Sequence, residues 1–323
     1  MLALILFLCL SVPALASQSY SIEDTYIGRD FFEWDWYTGS DPTHGIVEYV
    51  DKATAMDFNL SVGKSSDTSF LMRADNVNNV PPADPGRKSV RISSQRAYND
   101  SVAVIDLWHM PQGCGTWPAW WTVSQKGPWP QGSEIDIIEG VNNNTRNLGS
   151  LHTTPNCNMT QTRKQRGQTV STVCDTSANY NQGCGVEFKP NSYGLDFNAN
   201  GGGWFAMLRS SRGIYMWFWA RNDSNVPPEV SQGLSTVNPD ESNWGVPDAA
   251  FPTDECDYVS HFNEHSIVFD LTFCGDWAGS AYSGSGCPST CEDYVRNNPS
   301  MFDEAYWEIS WLRMYTPNPD TAV

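Results

Sequence analysis

Three observations predict an all-β chain, an antiparallel sandwich or jelly roll. Short segments of alternating apolar and polar residues recur from end to end, with turns rich in Gly, Pro, Asn and Ser between them. Helical periodicity is scarce, and residues 291–297 form the one stretch suited to a helical turn or two. Charged residues make up only 17% of the chain while Trp and Tyr number 14 and 13, a balance that suits an extracellular β-rich protein. The 323 residues contain no internal repeat, low-complexity tract or convincing linker, so one domain, residues 17–323, is expected after a short leader.

Taken in order, residues 30–36 are an aromatic segment and 38–45 a turn-rich loop. Residues 47–50 and 53–56 read as short strands around a turn at Asp51, and 70–74 as another. Residues 75–88 form a Pro- and Asn-rich loop long enough to line a site. Residues 90–94 alternate, 102–109 are an apolar run, and 113–122 hold the densest Trp cluster. Residues 148–153 alternate again, while 154–190 carry three cysteines and few apolar side chains and read as a disulfide-tied excursion. Residues 195–197 and 203–209 flank Asn198-Ala199-Asn200-Gly201-Gly202, a hairpin-like turn. Residues 213–220 alternate, 222–255 are a long polar loop, 266–273 are a strand, and 306–315 are the closing strand.

Residues 1–16 have the pattern of a signal peptide. An apolar run over 2–10 is too short to span a bilayer, and Ala14-Leu15-Ala16 is an A-x-A cleavage site. No second hydrophobic stretch of spanning length follows and no anchor signal closes the chain, so a secreted, extracellular protein without a membrane partner is expected. Removing the leader removes Cys9 and leaves eight cysteines, an even count that implies disulfides in an oxidising compartment. Cys287 and Cys291 are close enough to pair locally, as are two of the three among Cys157, Cys174 and Cys184. Their spacings match no zinc pattern, no Asp/Asn loop resembles a calcium site, and neither metal nor cofactor is expected. Sequons stand at Asn59, Asn99, Asn143, Asn158 and Asn222. The net charge of −18 argues against nucleic acid and anionic membranes and leaves a neutral partner easiest to accommodate.

The chemistry concentrates in Gly132-Ser133-Glu134-Ile135-Asp136-Ile137-Ile138-Glu139-Gly140. On a strand, Glu134 and Asp136 share a face, and Glu139 is out of phase by one residue. One β-bulge within Ile137-Ile138 returns Glu139 to the carboxylate face. Lone acid pairs also occur on solvated edge strands, but three acids on one face repel and cost desolvation, so stability alone does not explain them. Two carboxylates held close with different jobs are the signature of glycoside hydrolysis, in which a retaining enzyme needs its pair about 5–5.5 Å apart.

Glu134-Ile-Asp136-Ile-Ile-Glu139 resembles the E-x-D-x-x-E signature of glycoside hydrolase family 16, and Gly115-Thr116-Trp117-Pro118-Ala119-Trp120-Trp121 is similar to its G-T-W-P-A segment. Phe31-Phe32 through Tyr49-Val50-Asp51, Leu151-His152-Thr153, Phe197 through Trp204, Trp217-Phe218-Trp219 and Tyr306-Trp307-Glu308 resemble segments of secreted fungal laminarinases, the endo-1,3(4)-β-glucanases. The resemblance runs over almost the whole mature chain. It implies a concanavalin-like β-jelly roll of two stacked antiparallel sheets with a concave substrate cleft, a β-glucan substrate, and retention through a glycosyl-enzyme intermediate. It casts Glu134 as nucleophile, Glu139 as general acid/base and Asp136 as the assisting carboxylate. The longer, bulged signature is that of laminarinases, whereas the shorter one is typical of lichenases and xyloglucan enzymes. Ser133 departs from the more usual Gly.

The mechanism so implied needs Glu139 protonated at the start, its pKa raised by the nearby charge of Glu134, and it predicts an acidic pH optimum. Sugar rings stack on aromatic faces, for which Trp117, Trp120, Trp121, Trp129 and Trp277 are candidates, the alternative being core burial. Trp129 and Trp277 are favoured by their Gly- and Pro-rich loops, and Trp120 and Trp121 cannot both face a cleft. His152 is placed to hydrogen-bond substrate or acid/base, and Arg91 suits a surface ion pair better than sugar binding. Two rival functions remain: a wall-remodelling β-glucan transglycosylase, and a non-catalytic β-glucan-binding lectin, against which both glutamates count. The protein is expected to act as a monomer.

Overall fold

The computed structural model describes residues 18–63 and 68–319. Two large antiparallel sheets pack face to face as a jelly-roll sandwich. The nine-stranded sheet runs in the order Thr236–Val237, Tyr20–Tyr26, Tyr306–Pro317, Ser101–His109, Gly203–Ser210, Gly213–Ala220 and Ala249–Pro252, with Phe70–Arg73 and Ser61–Gly63 branching from Tyr306–Pro317. The eight-stranded sheet runs Gln168–Thr169, Cys184–Glu187, Leu148–His152, Glu134–Glu139, Thr116–Ser124, His265–Phe273, Arg91–Tyr98 and Asp35–Trp36. The carboxylate segment is therefore an interior strand, fixed on both sides by ladders.

Alternation sorts its residues. Ile135, Ile137 and Ile138 are fully buried in the shared core with Trp120, Phe269, Ile267, Phe205 and Trp307. Burying three isoleucines contributes about 5–9 kcal/mol and holds this strand flat against the opposite sheet. The carboxylates are left on the outer face. A second apolar layer, including Trp204, Trp217, Trp219 and Trp244, covers the outer face of the nine-stranded sheet beneath residues 226–244. Much of the Trp content is thus structural.

Three local expectations are corrected. Residues 53–56 belong to the helix Lys52–Asp57, which starts because the Asp51 carboxylate accepts the Thr54 N–H at 2.7 Å. Residues 195–197 belong to the helix Gly194–Ala199 and not to a hairpin arm. Asn198 holds that turn in place by exchanging hydrogen bonds with both backbone groups of Met110, a long-range tie that local turn chemistry does not reveal. Cys287 does not pair with Cys291. The disulfides are Cys114–Cys287, Cys157–Cys256, Cys174–Cys184 and Cys274–Cys291. Cys291 opens the helix Cys291–Asn297 and turns into the apolar cluster with Cys274, while Cys287 lies on the loop before it. The Cys174–Cys184 bond fulfils the expected local pairing. All five sequon asparagines are exposed. No helix among the described residues is long and apolar enough to cross a membrane. The leader expectation lies outside the described residues.

Candidate active site

The ladder between Glu134–Glu139 and Thr116–Ser124 pairs Glu134 with Val123, Ile135 with Thr122 and Asp136 with Trp121, then skips to Ile138 with Trp120 and Glu139 with Ala119. Ile137 is the extra residue of a β-bulge. Ile137 and Ile138 both turn into the core, and Glu139 rejoins the face of Glu134 and Asp136. On the other side the ladder with Leu148–His152 pairs Glu134 with His152 and Asp136 with Ser150, then stops.

Each carboxylate meets a dedicated donor. The Trp117 indole N–H donates to Glu139 Oε1 at 2.8 Å, and the Trp129 N–H donates to Glu134 Oε2 at 3.2 Å. The Ser150 hydroxyl donates to Asp136 Oδ2 at 2.8 Å, and His152 Nε2 lies 3.4 Å from that same oxygen. Across the ring, His152 Nδ1 is 2.9 Å from Asn181 Oδ1. His152 is thus held beside Asp136, the middle carboxylate.

Burial is the first cause that raises the pKa of all three acids. Glu134 and Glu139 are pushed well above the ordinary carboxylate range, and the charge of Asp136 adds to both. Arg91 and the Trp129 hydrogen bond oppose this at Glu134, while the Trp117 hydrogen bond and His152 oppose it at Glu139. The sequence expectation named Glu134 as the source of the Glu139 shift. Burial and Asp136 come first, because Asp136 sits between the two. Three such groups share protons and titrate as a unit. An acid pair with raised pKa values can hold one glutamic acid beside one glutamate, which is what acid catalysis with nucleophilic attack requires.

The predicted aromatic residues divide. Trp120 is wholly buried in the core. Trp121 lies on the carboxylate face but only 9% exposed, as floor, with its N–H donated to Asp270 Oδ2 at 3.1 Å. Trp129 is 46% exposed and stands over Glu134. Its loop is anchored by Ser133 Oγ donating to the His261 carbonyl at 2.9 Å and by His265 Nε2 at 2.6 Å from the Gly132 carbonyl. Ser133 takes φ +71°, the left-handed region where Gly is at ease, which gives the Gly preference there a physical reason. Trp277 sits on the single π-helical turn Gly275–Gly279, edge-on to Trp117 with centroids 5.7 Å apart. Arg91 lies over the Tyr37 and Trp121 rings at 4.8 and 4.9 Å, stacked and not ion-paired among the described residues.

Sequence reasoning missed four residues. Ser150, Asn181 and Asn147 lie on neighbouring strands or loops and hydrogen-bond Asp136, His152 and the Glu139 N–H respectively, contacts that appear only once register is known. Asp270 is a carboxylate set between Phe269 and Leu271 in the strand His265–Phe273, an irregularity that could have marked it. Burial pushes its pKa up to about 7, against the opposing charge of Arg91. Glu134, Asp136 and His152 also offer ligand atoms within 4.8 Å of one another, close enough to contact one cation. A groove on the outer face of the nine-stranded sheet, beside Trp108 and Tyr306, lies away from these acids.

Comparison with known proteins places this geometry. The family model of the XgeA-like catalytic domain of glycoside hydrolase family 16 matches residues 34–315. A probable glycosidase of Schizosaccharomyces pombe is 42% identical over 94% of the chain, which spans 71% of that relative. A probable endo-1,3(4)-β-glucanase of Aspergillus niger is 40% identical over 94% of the chain, which spans only 41% of that longer protein. Among solved structures, laminarinase 16A from Phanerochaete chrysosporium, with β-glucans (6-O-glucosyl-laminaritriose) in both donor and acceptor sites, superposes at TM-score 0.89 with 47% identity, over 92% of this chain and 100% of that one. An elongating family 16 β-1,3-glucosyltransferase superposes at 0.84 with 39% identity over the same shares. The chain belongs to glycoside hydrolase family 16.

Proposed function

We propose that the protein is a secreted endo-β-glucanase that hydrolyses 1,3-β-glucans, and mixed 1,3-1,4-β-glucans, with retention of anomeric configuration. One observation carries the reading: the bulge at Ile137 brings Glu134, Asp136 and Glu139 to one face of an interior strand. Glu139 donates its proton to the glycosidic oxygen as Glu134 attacks the anomeric carbon, forming a glycosyl ester and releasing the leaving chain. Glu139, now a carboxylate, takes a proton from water, which attacks the same carbon and frees Glu134. Asp136, fixed by Ser150 and flanked by His152, hydrogen-bonds and tunes its neighbours. Trp129, Trp277 and Trp117 form the aromatic wall against which sugar rings pack. The endo-1,3(4)-β-glucanase names of relatives support the substrate class. Four disulfides support an oxidising destination.

Digestion of laminarin, lichenan and xyloglucan by wild type and Glu134→Ala tests the reading. Wild type should cleave laminarin and lichenan, and NMR should find the β-anomer first. Untouched laminarin would end the proposal, and an active Glu134→Ala would end the nucleophile assignment. A second reading, transfer of the glycosyl group to a sugar, is favoured by the similarity to the elongating glucosyltransferase. Products longer than the substrate on adding an acceptor oligosaccharide distinguish it.

A further inference from the structure

The bulge solves a phase problem and creates another. At Ile137 the strand slips relative to Thr116–Ser124, and the ladder to Leu148–His152 ends at the Asp136–Ser150 pair. In a continued register Glu139 would sit opposite residue 147. Instead, the buried backbone of 137–139 meets a side chain there. The Asn147 carboxamide accepts the Glu139 N–H on Oδ1 at 2.9 Å and donates from Nδ2 to the Ile137 carbonyl at 2.7 Å. A carboxamide's carbonyl and the N–H syn to it point the same way, as the N–H and C=O of one strand residue do toward its ladder partner, so it substitutes for the missing ladder rung.

Nothing in this arrangement is loose. Asn147 is fully buried. Its own N–H donates to Ser192 Oγ at 2.9 Å, and its carbonyl accepts the Phe188 N–H at 2.8 Å. Ser192 Oγ in turn donates to the Lys189 carbonyl at 2.7 Å. With both backbone groups engaged elsewhere, the carboxamide is aimed at the bulge, and the donor and acceptor it meets there fix which way round it sits. A backbone N–H is bound at Glu139 itself, and a carbonyl two residues before it, so the direction of the Glu139 Cα–Cβ bond follows from the clamp.

We propose that Asn147 is a positioning residue for the acid/base: by closing the bulge it sets the reach of Glu139 toward the glycosidic oxygen. The proposal rests on the glycosidase reading and assigns Asn147 no contact with substrate. It predicts selective damage. A misplaced acid/base slows cleavage of a poor leaving group, a sugar alkoxide that needs the proton. It barely affects a leaving group that departs unassisted, because Glu134 lies on the regular side of the bulge. A residue with only a structural role would slow both alike.

The test compares wild type, Asn147→Leu, Asn147→Ser and Glu139→Gln on laminarin and on a 2,4-dinitrophenyl β-laminaribioside. Glu139→Gln defines the signature of a lost acid. Asn147→Leu, similar in size but without the carboxamide, is expected to lose about 100-fold in kcat on laminarin with KM little changed, and no more than about 5-fold in forming the glycosyl-enzyme from the activated glycoside in pre-steady-state measurement. Asn147→Ser, with one hydroxyl left to bond, should show the same split with a smaller laminarin loss. Equal losses on both substrates, or an undiminished laminarin rate, would overturn the proposal. So would failure of both variants to fold by circular dichroism and melting, since the role would then be structural. A wild type inactive on both substrates would instead refute the glycosidase reading.

Discussion

At the residue scale, each acid is defined by what donates to it. Glu134 receives the Trp129 indole, Glu139 the Trp117 indole, and Asp136 the Ser150 hydroxyl. A hydrogen bond to a charged group contributes about 1.5–3 kcal/mol, and the partial exposure of Trp129 lowers that. Trp129→Phe keeps the ring and removes the donor, so kcat on laminarin should fall about tenfold with KM nearly unchanged. Trp129→Ala removes the ring too and should raise KM, and steady-state kinetics separate the two effects. Asp136 raises the pKa of Glu139 by like charge, so Asp136→Asn should lower it. Glu139 would then lose its proton at lower pH, and the basic limb of the kcat/KM profile should move toward acid. A limb that stays put would show that burial alone sets the proton. The acids were legible because their spacing conflicts with a regular strand. Ser150, Asn181 and Asn147 were not, since each acts across a register that no local pattern encodes.

At the scale of elements, the bulge decides the site. Deleting Ile137 leaves Glu134, Asp136 and Glu139 at successive even positions, and a regular strand puts all three on one face. The deletion variant should fold with Glu139 still on the carboxylate face but with the Asn147 clamp out of step. Its laminarin activity should be reduced, yet above that of Glu139→Ala. Activity no higher than that of Glu139→Ala would mean that the bulge supplies more than phase. Ile138→Ala should destabilise by about 2–5 kcal/mol, read by chemical unfolding, because it empties a fully buried site beneath the acids. The elements misread from sequence have separate causes. Residues 53–56 have apolar alternation over too few positions to outweigh the Asp51 cap, and 195–197 are helical because Asn198 is tied to Met110, far away in the chain. The bulge, by contrast, was readable to within two residues, because a mechanism that needs Glu139 on the acidic face leaves it nowhere else to lie.

At the scale of the whole molecule, burial of acids couples stability to pH. Glu134, Asp136, Glu139, Asp248 and Asp270 all have raised pKa values, with burial the first cause, and that of Asp270 reaches about 7. A carboxyl whose folded pKa exceeds its unfolded value binds its proton more tightly when folded, so stability falls as pH rises between the two values. The melting temperature should therefore rise as pH is lowered from about 7 toward 5, and Asp270→Asn should flatten part of that slope. A flat or opposite profile would contradict the buried-acid description. The sandwich itself was legible in the alternation, but the sheet order was not, because antiparallel neighbours such as Thr116–Ser124 and His265–Phe273 are far apart in sequence. The scaffold holds the proposed pair, Glu134 to attack and Glu139 to supply the proton. A 2-deoxy-2-fluoro-laminaribiosyl fluoride slows release of the glycosyl group, and peptide mass spectrometry then locates the ester. The predicted result is a single label on Glu134. A label on Asp136 or Glu139, or rapid turnover of laminarin by a protein that never takes up the label, would contradict it.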